Sequence, residues 1–209
     1  MGRTGAPLTT RLPGGDAAGA TPLTDEDIDG LIPTFVATRA DLNLAEQANI
    51  EAATLWAFGR RRVASTDRLL TIDFADRVHW RMFGDVWRWA GRHRTRMTNI
   101  GVEPHQITTQ MKLLFDDARY WHDHSTYQPA ESAVRFHHRL VFVHPYHNGN
   151  GRHARFMADL YLHLNGEPRL TWGTGQKIEI DGTARRNYIT ALQAADRGDI
   201  EPLRDFAQR

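Results

Sequence analysis

The sequence contains no cysteine, only two lysines and no long apolar segment. Without cysteine the chain has no disulfide framework, no thiolate zinc site and no cysteine redox chemistry, which suits a reducing compartment. We therefore expect a cytoplasmic location. The longest apolar runs fall well short of the roughly 20 residues that a membrane-spanning helix needs, so that no membrane partner is expected.

The sequence also lacks an excess of either charge. It has 26 basic and 25 acidic residues, and its formal net charge is +1. Proteins that bind nucleic acid usually carry a strongly basic face, so that the charge balance predicts no nucleic-acid partner. With 209 residues and 41% hydrophobic content, the chain is long enough to bury one core.

Apolar residues recur at intervals of three to four through most of the sequence, which predicts an all-α fold. Residues 1–20 have no such period and are rich in Gly, Ala, Pro and Thr, so we predict a disordered tail there and a single domain over residues 21–209. A helix is expected over residues 71–90, with Gly91 as its C-terminal stop. The period is lost over residues 92–104, which predicts a short β-hairpin or an extended flap.

A histidine, a glycine-containing turn and two arginines follow one another between His144 and Arg155. Gly149 and Gly151 allow positive φ angles and let successive N–H groups point one way, and a helix that starts just after them adds the positive end of its dipole. Arg152 and Arg155 are three residues apart and so lie near one helix face, where guanidinium groups bind phosphate oxygens. With His144 as a candidate general base, the segment predicts a phosphoryl- or nucleotidyl-transfer site.

This segment resembles the signature of Fic/Doc proteins, H-P-F-x-(D/E)-G-N-G-R-x-x-R. The matching residues are His144, Pro145, Tyr146, His147, Asn148, Gly149, Asn150, Gly151, Arg152 and Arg155. The resemblance covers residues 20–207, and its first, middle and core segments are similar to the Fic subset called mobile mystery protein B. It implies a helical bundle with a small β-hairpin flap that transfers AMP from ATP to a Ser, Thr or Tyr hydroxyl of a target protein.

The resemblance also implies a role for each residue of the site. His144 would take the proton of the target hydroxyl. The backbone of Gly149, Asn150 and Gly151 would hold the α- and β-phosphates, with the Asn150 side chain on the α-, Arg152 on the β- and Arg155 on the γ-phosphate. Ile100 or Val102 in the flap would clamp the target segment, which the family aligns by strand addition.

Two residues depart from the family signature. Tyr146 replaces phenylalanine, which adds a hydroxyl to a core residue, and Asn148 replaces the acid that holds Mg²⁺ in the family. Because Mg²⁺ prefers anionic oxygens, Asn148 would be a weak ligand, with the ion held mainly by the phosphates of the nucleotide. Two alternatives stay open: transfer from a different donor, or a nucleotide-binding module with weak or no catalysis.

Regulation and a different chemistry are the remaining questions. Many Fic proteins are inhibited by a glutamate in an S/T-x-x-x-E-G/N motif, for which the sequence has no clean match. Glu46 lacks the Ser or Thr four residues before it, and we expect it on a solvated helix face. The inhibitor would then be a separate antitoxin-like protein, with this chain as the toxin of the pair. Arg139 and His144 also fit the R-x4-6-H pattern of HEPN-type ribonucleases, a reading that leaves the GNGR segment unexplained.

Overall fold

The computed structural model describes residues 23–59, 65–173 and 182–209, and these ranges are mainly helical. The helices are α1 Asp25–Asp29, α2 Arg39–Phe58, α3 Thr66–Leu69, α4 Ile72–Phe83, α5 Ile107–Asp123, α6 Pro129–Val143, α7 Asn150–Leu164, α8 Gly182–Asp196 and α9 Glu201–Gln208. In the described ranges only isolated β-bridges occur, so the all-α prediction is confirmed. The predicted tail over residues 1–20 lies outside the described residues. None of the described helices is long and apolar enough to cross a membrane.

Local sequence explains where several helices begin. Thr24 and Thr38 each cap a helix N-terminus through a reciprocal capping box with the aspartate three residues later. Pro129 occupies the first turn of α6, where its missing N–H costs nothing. These start signals fix the helix positions before any tertiary packing is considered.

The core forms around the central helix α6. Helix α7 packs along α6, α5 covers another side of it, and α2 packs on α4. The residues that α6 and α7 bury include Val134, Leu140, Val143, Met157 and Leu160. Because α6 ends at Val143 and α7 begins at Asn150, the intervening residues 144–149 are held between the two most buried helices.

The predicted helix over residues 71–90 is too long. Helix α4 ends at Phe83, and Gly84 follows as its C-cap. Beyond that point the backbone pairs with the segment after α1, as in the 2.9 Å hydrogen bond from the Ile32 N–H to the Val86 carbonyl. Trp87 and Trp89, which lie beyond the end of α4, are buried within a series of turns.

Residues 92–103 form an irregular loop, and the predicted β-hairpin is not shown. The backbone of the loop pairs with the C-terminal end of α6 and with the segment after it. The Arg94 N–H donates to the Pro145 carbonyl at 2.9 Å, and the Val102 N–H donates to the Val143 carbonyl at 3.4 Å. These bonds take the backbone groups that a hairpin would pair internally, and they place the loop beside His144.

Candidate active site

His144 lies at the C-terminus of α6 in the left-handed backbone region, with φ of 54° and ψ of 59°. Non-glycine residues in this region are uncommon and cluster at functional sites. The side chain is 5% exposed, and its Nδ1–H donates to the Val141 carbonyl at 3.2 Å. The neutral ring therefore carries its lone pair on Nε2. Burial lowers the pKa of His144 to about 4; the bond to Val141 opposes this shift and the charge of Arg94 adds to it.

Arg94 ties the loop of residues 92–103 to His144. Its guanidinium is buried, and its Nε–H donates to the His144 carbonyl at 2.7 Å. Other N–H groups of the same side chain donate to the carbonyls of Arg96 and Val102. At Gly101 a Cβ atom would stand 2.6 Å from the His144 Cβ, so the loop approaches the histidine as closely as glycine allows. No sequence motif marks Arg94, because it recognises carbonyl groups that any residue could supply.

Tyr146 and Asn150 close the loop between α6 and α7. The Asn150 side chain accepts from the Tyr146 N–H at 2.9 Å and donates to the Tyr146 carbonyl at 2.8 Å. The Tyr146 hydroxyl donates to Asp76 at 2.9 Å, and its ring stacks on His79 at 3.7 Å between centroids. The hydroxyl that distinguishes Tyr146 from the family phenylalanine therefore has a partner. The Asn150 side chain therefore closes the loop, and its predicted contact with the α-phosphate stays a prediction.

Asn148 is held from both sides. The Gly91 N–H donates to His79 Nδ1 at 2.9 Å, so the neutral ring carries its proton on Nε2 and donates it to the Asn148 carbonyl at 3.1 Å. The Asn148 side-chain oxygen accepts from the Gly149 N–H at 2.6 Å. Among the described residues no group of three or more His, Cys, Asp or Glu could hold a metal ion. Both oxygens of Asn148 are neutral and already accept hydrogen bonds. They therefore do not fit a magnesium ion that the protein alone would hold.

The start of α7 has the features of an anion cradle. Gly149 is its N-cap, with the expected positive φ of 76°, whereas Gly151 lies within the helix and is not among the glycines with positive φ. A Cβ at Gly149 would stand 2.6 Å from the Phe83 ring, so glycine is required for space as well as for conformation. Gly151 lies in the first turn, where the N–H groups have no partner within the helix. Together with the dipole of a 15-residue helix, these groups favour a bound anion.

Arg152 pairs with Glu46 of α2, and the expectation that Glu46 lies on a solvated face is wrong. The Arg152 Nη1 lies 2.7 Å from Glu46 Oε2, and Glu46 Oε1 accepts from Trp87 Nε1 at 2.7 Å. Glu46 is only 4% exposed, because it lies on the face of α2 that also buries Leu42 and Asn49. The spacing of these three residues, four and then three, is the sequence signal that could have revealed its burial.

Arg155 lies farther along α7, against helix α8. Its guanidinium is centred 5.5 Å from the ring of Tyr188, and the Tyr188 hydroxyl lies 3.0 Å from His137 Nε2. His144 thus lies at one end of the short loop between α6 and α7, and the glycines and both arginines lie at its other end and in α7.

The loop residue His147 turns toward α1. Its Nδ1–H donates to Asp27 at 3.0 Å, and its ring stacks on Trp89. Asp27 is fully buried and also pairs with Arg96. Burial alone would raise the pKa of Asp27, but hydrogen bonds, chiefly from His147 and Arg96, outweigh it and hold that pKa well below its usual range. No sequence motif links α1 to the site.

The two residues predicted as the target clamp differ in their exposure to solvent. Ile100 is 45% exposed, whereas Val102 is partly buried and bonded through its backbone to Val143.

The two residues of the ribonuclease pattern are Arg139 and His144. Arg139 Nη1 lies 3.8 Å from Asp117 Oδ2 on α5, while His144 is held by Val141 and Arg94. Arg139 and His144 therefore make these contacts with different neighbours.

Comparison with known proteins identifies the class. Residues 69–162 match the Fic/DOC family. The protein adenylyltransferase Fic of Nematostella vectensis is 30% identical over 145 residues, which are 67% of this chain and 32% of that protein. Protein adenylyltransferase fic-1 of Caenorhabditis elegans is 31% identical over 141 residues, 64% of this chain and 26% of that protein. The chain thus spans between a quarter and a third of the length of these curated relatives.

Solved structures agree on the fold. The BepC protein of Bartonella tribocorum, with bound AMPPNP, superposes with a TM-score of 0.65 at 17% identity, over 83% of this chain and 87% of that one. Fic-1 of C. elegans superposes with a TM-score of 0.61 at 25% identity, over 87% of this chain and 56% of that one. The chain therefore belongs to the Fic/DOC family. Its narrower resemblance to the mobile mystery protein B subset stays a prediction.

Proposed function

We propose that the protein is a Fic-type nucleotidyltransferase that moves AMP from ATP to a hydroxyl side chain of a target protein. The observation that carries this proposal is the placement of His144. It is buried, its Nδ1–H is bound to Val141, and it stands at the end of a loop that opens directly into the anion cradle of α7. The names of the relatives, protein adenylyltransferases, support the same reaction.

In the proposed reaction His144 Nε2 accepts the proton of a Ser, Thr or Tyr hydroxyl. The hydroxyl oxygen forms a bond to the α-phosphorus of ATP, the bond from that phosphorus to the bridging oxygen breaks, and pyrophosphate leaves. Phosphoryl transfer depends mostly on positioning and charge neutralisation. The N–H groups of residues 149–151, Arg152 on the β-phosphate and Arg155 on the γ-phosphate would supply both.

Magnesium would enter this site with the nucleotide. Asn148 provides a neutral oxygen that already accepts from the Gly149 N–H, so the phosphates would be the main ligands of the ion. A weakly held ion is compatible with slow transfer. It also fits the alternative function, a nucleotide-binding module with little or no catalysis. The pairing of Arg152 with Glu46 favours this alternative as well.

The target protein would dock against the loop of residues 92–103. Ile100 is an exposed apolar residue of this loop and suits the clamp, whereas the Val102 N–H bonds to Val143 at the C-terminal end of α6. The inhibitor would be a separate antitoxin-like protein, with this chain acting as a cytoplasmic toxin. The contact of Arg139 with Asp117 does not support the ribonuclease alternative.

The proposal is tested by incubating the protein with α-labelled ATP, Mg²⁺ and cell lysate. Wild type, Asn148→Asp and His144→Ala are compared. Label on protein that is lost in His144→Ala establishes the transferase. Label only with Asn148→Asp selects the binding module or a muted enzyme, and no label with either contradicts AMP transfer and points to another donor nucleotide or to the ribonuclease chemistry.

A further inference from the structure

Tyr188 of α8 reaches the phosphate cradle from a helix that the family signature does not include. Its hydroxyl lies 3.7 Å from the point where a Cβ of Gly151 would stand, and Arg155 Nη1 lies 3.8 Å from the same point. Two side-chain donors from different helices therefore converge on the first turn of α7. The ring of Tyr188 also lies against the Arg155 guanidinium, a cation–π contact that fixes the position of the arginine.

The partner of Tyr188 determines the direction of its hydrogen bond. His137 is fully buried, its Nε2 lies 3.0 Å from the Tyr188 hydroxyl, and its Nδ1 has no hydrogen-bond partner among the described residues. Burial, and to a smaller extent the charge of Arg155, lower the pKa of His137 well below the usual value, so the ring is neutral.

The neutral ring of His137 carries one proton, either on Nε2 or on Nδ1. Buried N–H groups without an acceptor are rarer in proteins than buried acceptors without a donor, so the proton belongs on Nε2, which has a partner, rather than on Nδ1. His137 then donates to the Tyr188 oxygen. The Tyr188 hydroxyl then has its own proton to donate, and Gly151 and Arg155 are neighbours of this side chain.

We propose that Tyr188, held by His137, donates a hydrogen bond to the terminal phosphate of the nucleotide and so selects the triphosphate. The inference rests on the proposed function, since that function assigns the terminal phosphate to Arg155. The Tyr188 hydroxyl is a neutral donor beside Arg155. It adds a directed hydrogen bond to the positive charge that Arg155 provides. A nucleoside monophosphate does not extend to this point of the cradle, so Tyr188 distinguishes nucleotides by the number of their phosphates.

The test is a set of calorimetric titrations with ATP, ADP and AMP in a His144→Ala background, in which turnover is removed. Tyr188→Phe keeps the ring against Arg155 and removes only the hydroxyl. We expect about tenfold weaker binding of ATP, the value of one hydrogen bond to a charged group, with AMP unchanged. Tyr188→Leu removes the ring as well and should weaken ATP binding further. Tyr120→Phe, an exposed tyrosine of α5, is the matched control and should change neither affinity.

Equal losses for ATP, ADP and AMP, or no loss of ATP affinity in Tyr188→Phe, would overturn the inference and leave the proposed function in place. A parent protein that binds none of the three nucleotides would overturn the proposed function and this inference with it. Because the ratio of ATP to AMP affinity is measured on folded protein, a lower melting temperature of Tyr188→Phe does not obscure the result.

Discussion

Glu46 Oε2 lies 2.7 Å from Nη1 of Arg152, so that a carboxylate of α2 neutralises the first arginine of the phosphate cradle. The second oxygen of Glu46 accepts a hydrogen bond from Trp87 Nε1. The charge of Glu46 also raises the pKa of Arg39, against the larger lowering effect of burial. The same Arg152 side chain is proposed to bind the β-phosphate. A nucleotide must therefore share Arg152 with Glu46 or displace it.

Replacing Glu46 by glutamine should strengthen nucleotide binding. A carboxylate beside the cradle repels a polyphosphate, and removing its charge is expected to tighten ATP binding about three- to tenfold. The free energy of unfolding should fall by about 1–3 kcal/mol, because Gln cannot accept from both Trp87 and Arg152. Titration with ATP and urea unfolding measure the two effects. The control is Glu51→Gln, an exposed residue of the same helix. Weaker ATP binding in Glu46→Gln would mean that Glu46 serves to position Arg152.

The pH dependence of transfer should reflect the low pKa of His144. With a pKa of about 4 in the free protein, the base is neutral throughout the range from pH 6 to 8. The value of kcat/KM should therefore be flat over that range and fall only as the pH approaches 4, whereas an ordinary histidine would lose half its activity near pH 6.5. A half-maximal rate near pH 6.5 would contradict the burial-lowered value.

Substitutions at His144 and Arg155 should separate chemistry from binding. We expect His144→Ala to lower transfer by about a hundredfold or more while ATP affinity is kept, since only the base is lost. Arg155→Ala should weaken ATP binding itself, because a charged phosphate ligand is removed. His124→Ala, an exposed histidine at the end of α5, is the control. A fully active His144→Ala protein would exclude the proposed mechanism.

Restoring an acid at position 148 should increase metal-dependent transfer. In Asn148→Asp the new carboxylate can still accept from the Gly149 N–H, so the loop geometry is kept while one anionic oxygen becomes available to Mg²⁺. We expect the Mg²⁺ concentration for half-maximal transfer to fall about tenfold, which a titration of the labelling reaction with Mg²⁺ measures. An unchanged Mg²⁺ dependence would show that the ion does not contact position 148.

The sequence predicted the part of the site that is contiguous along the chain. His144, Gly149, Gly151 and both arginines follow local rules of turn conformation and helix dipoles, and they lie at the end of α6, in the loop after it and in α7. The contacts that position them come from residues distant in sequence. Arg94 reaches His144 across 50 residues, and Glu46 reaches Arg152 across 106. No periodicity encodes such pairs, because their partners are fixed only once the helices pack.

Arg94 offers a test of how the loop of residues 92–103 supports the base. In Arg94→Lys a single ammonium group cannot satisfy the carbonyls of His144, Arg96 and Val102 together. We expect a loss of about 2–4 kcal/mol in unfolding free energy and a lower kcat, with the ATP affinity unchanged. Arg88→Lys, whose side chain bonds one carbonyl at the surface, is the matched control. Equal effects of both changes on kcat would contradict a positioning role for Arg94.

Asp159 should make the stability of the fold depend on pH. Burial raises its pKa to about 6, against the opposing hydrogen bonds from Trp172 and the Leu170 N–H. Since this value lies above the ordinary carboxyl pKa of about 3.9, the stabilising contribution is complete below pH 4 and is lost as the pH rises through 6. Asp159→Asn removes this titration while keeping an oxygen for Trp172. Between pH 4 and 7.5 the difference in unfolding free energy between wild type and Asp159→Asn should shift by about 1–2 kcal/mol against wild type, allowing for partial solvent screening. Urea unfolding at both pH values measures it, and the same difference at both would mean that the carboxyl group titrates alike in the folded and unfolded chain.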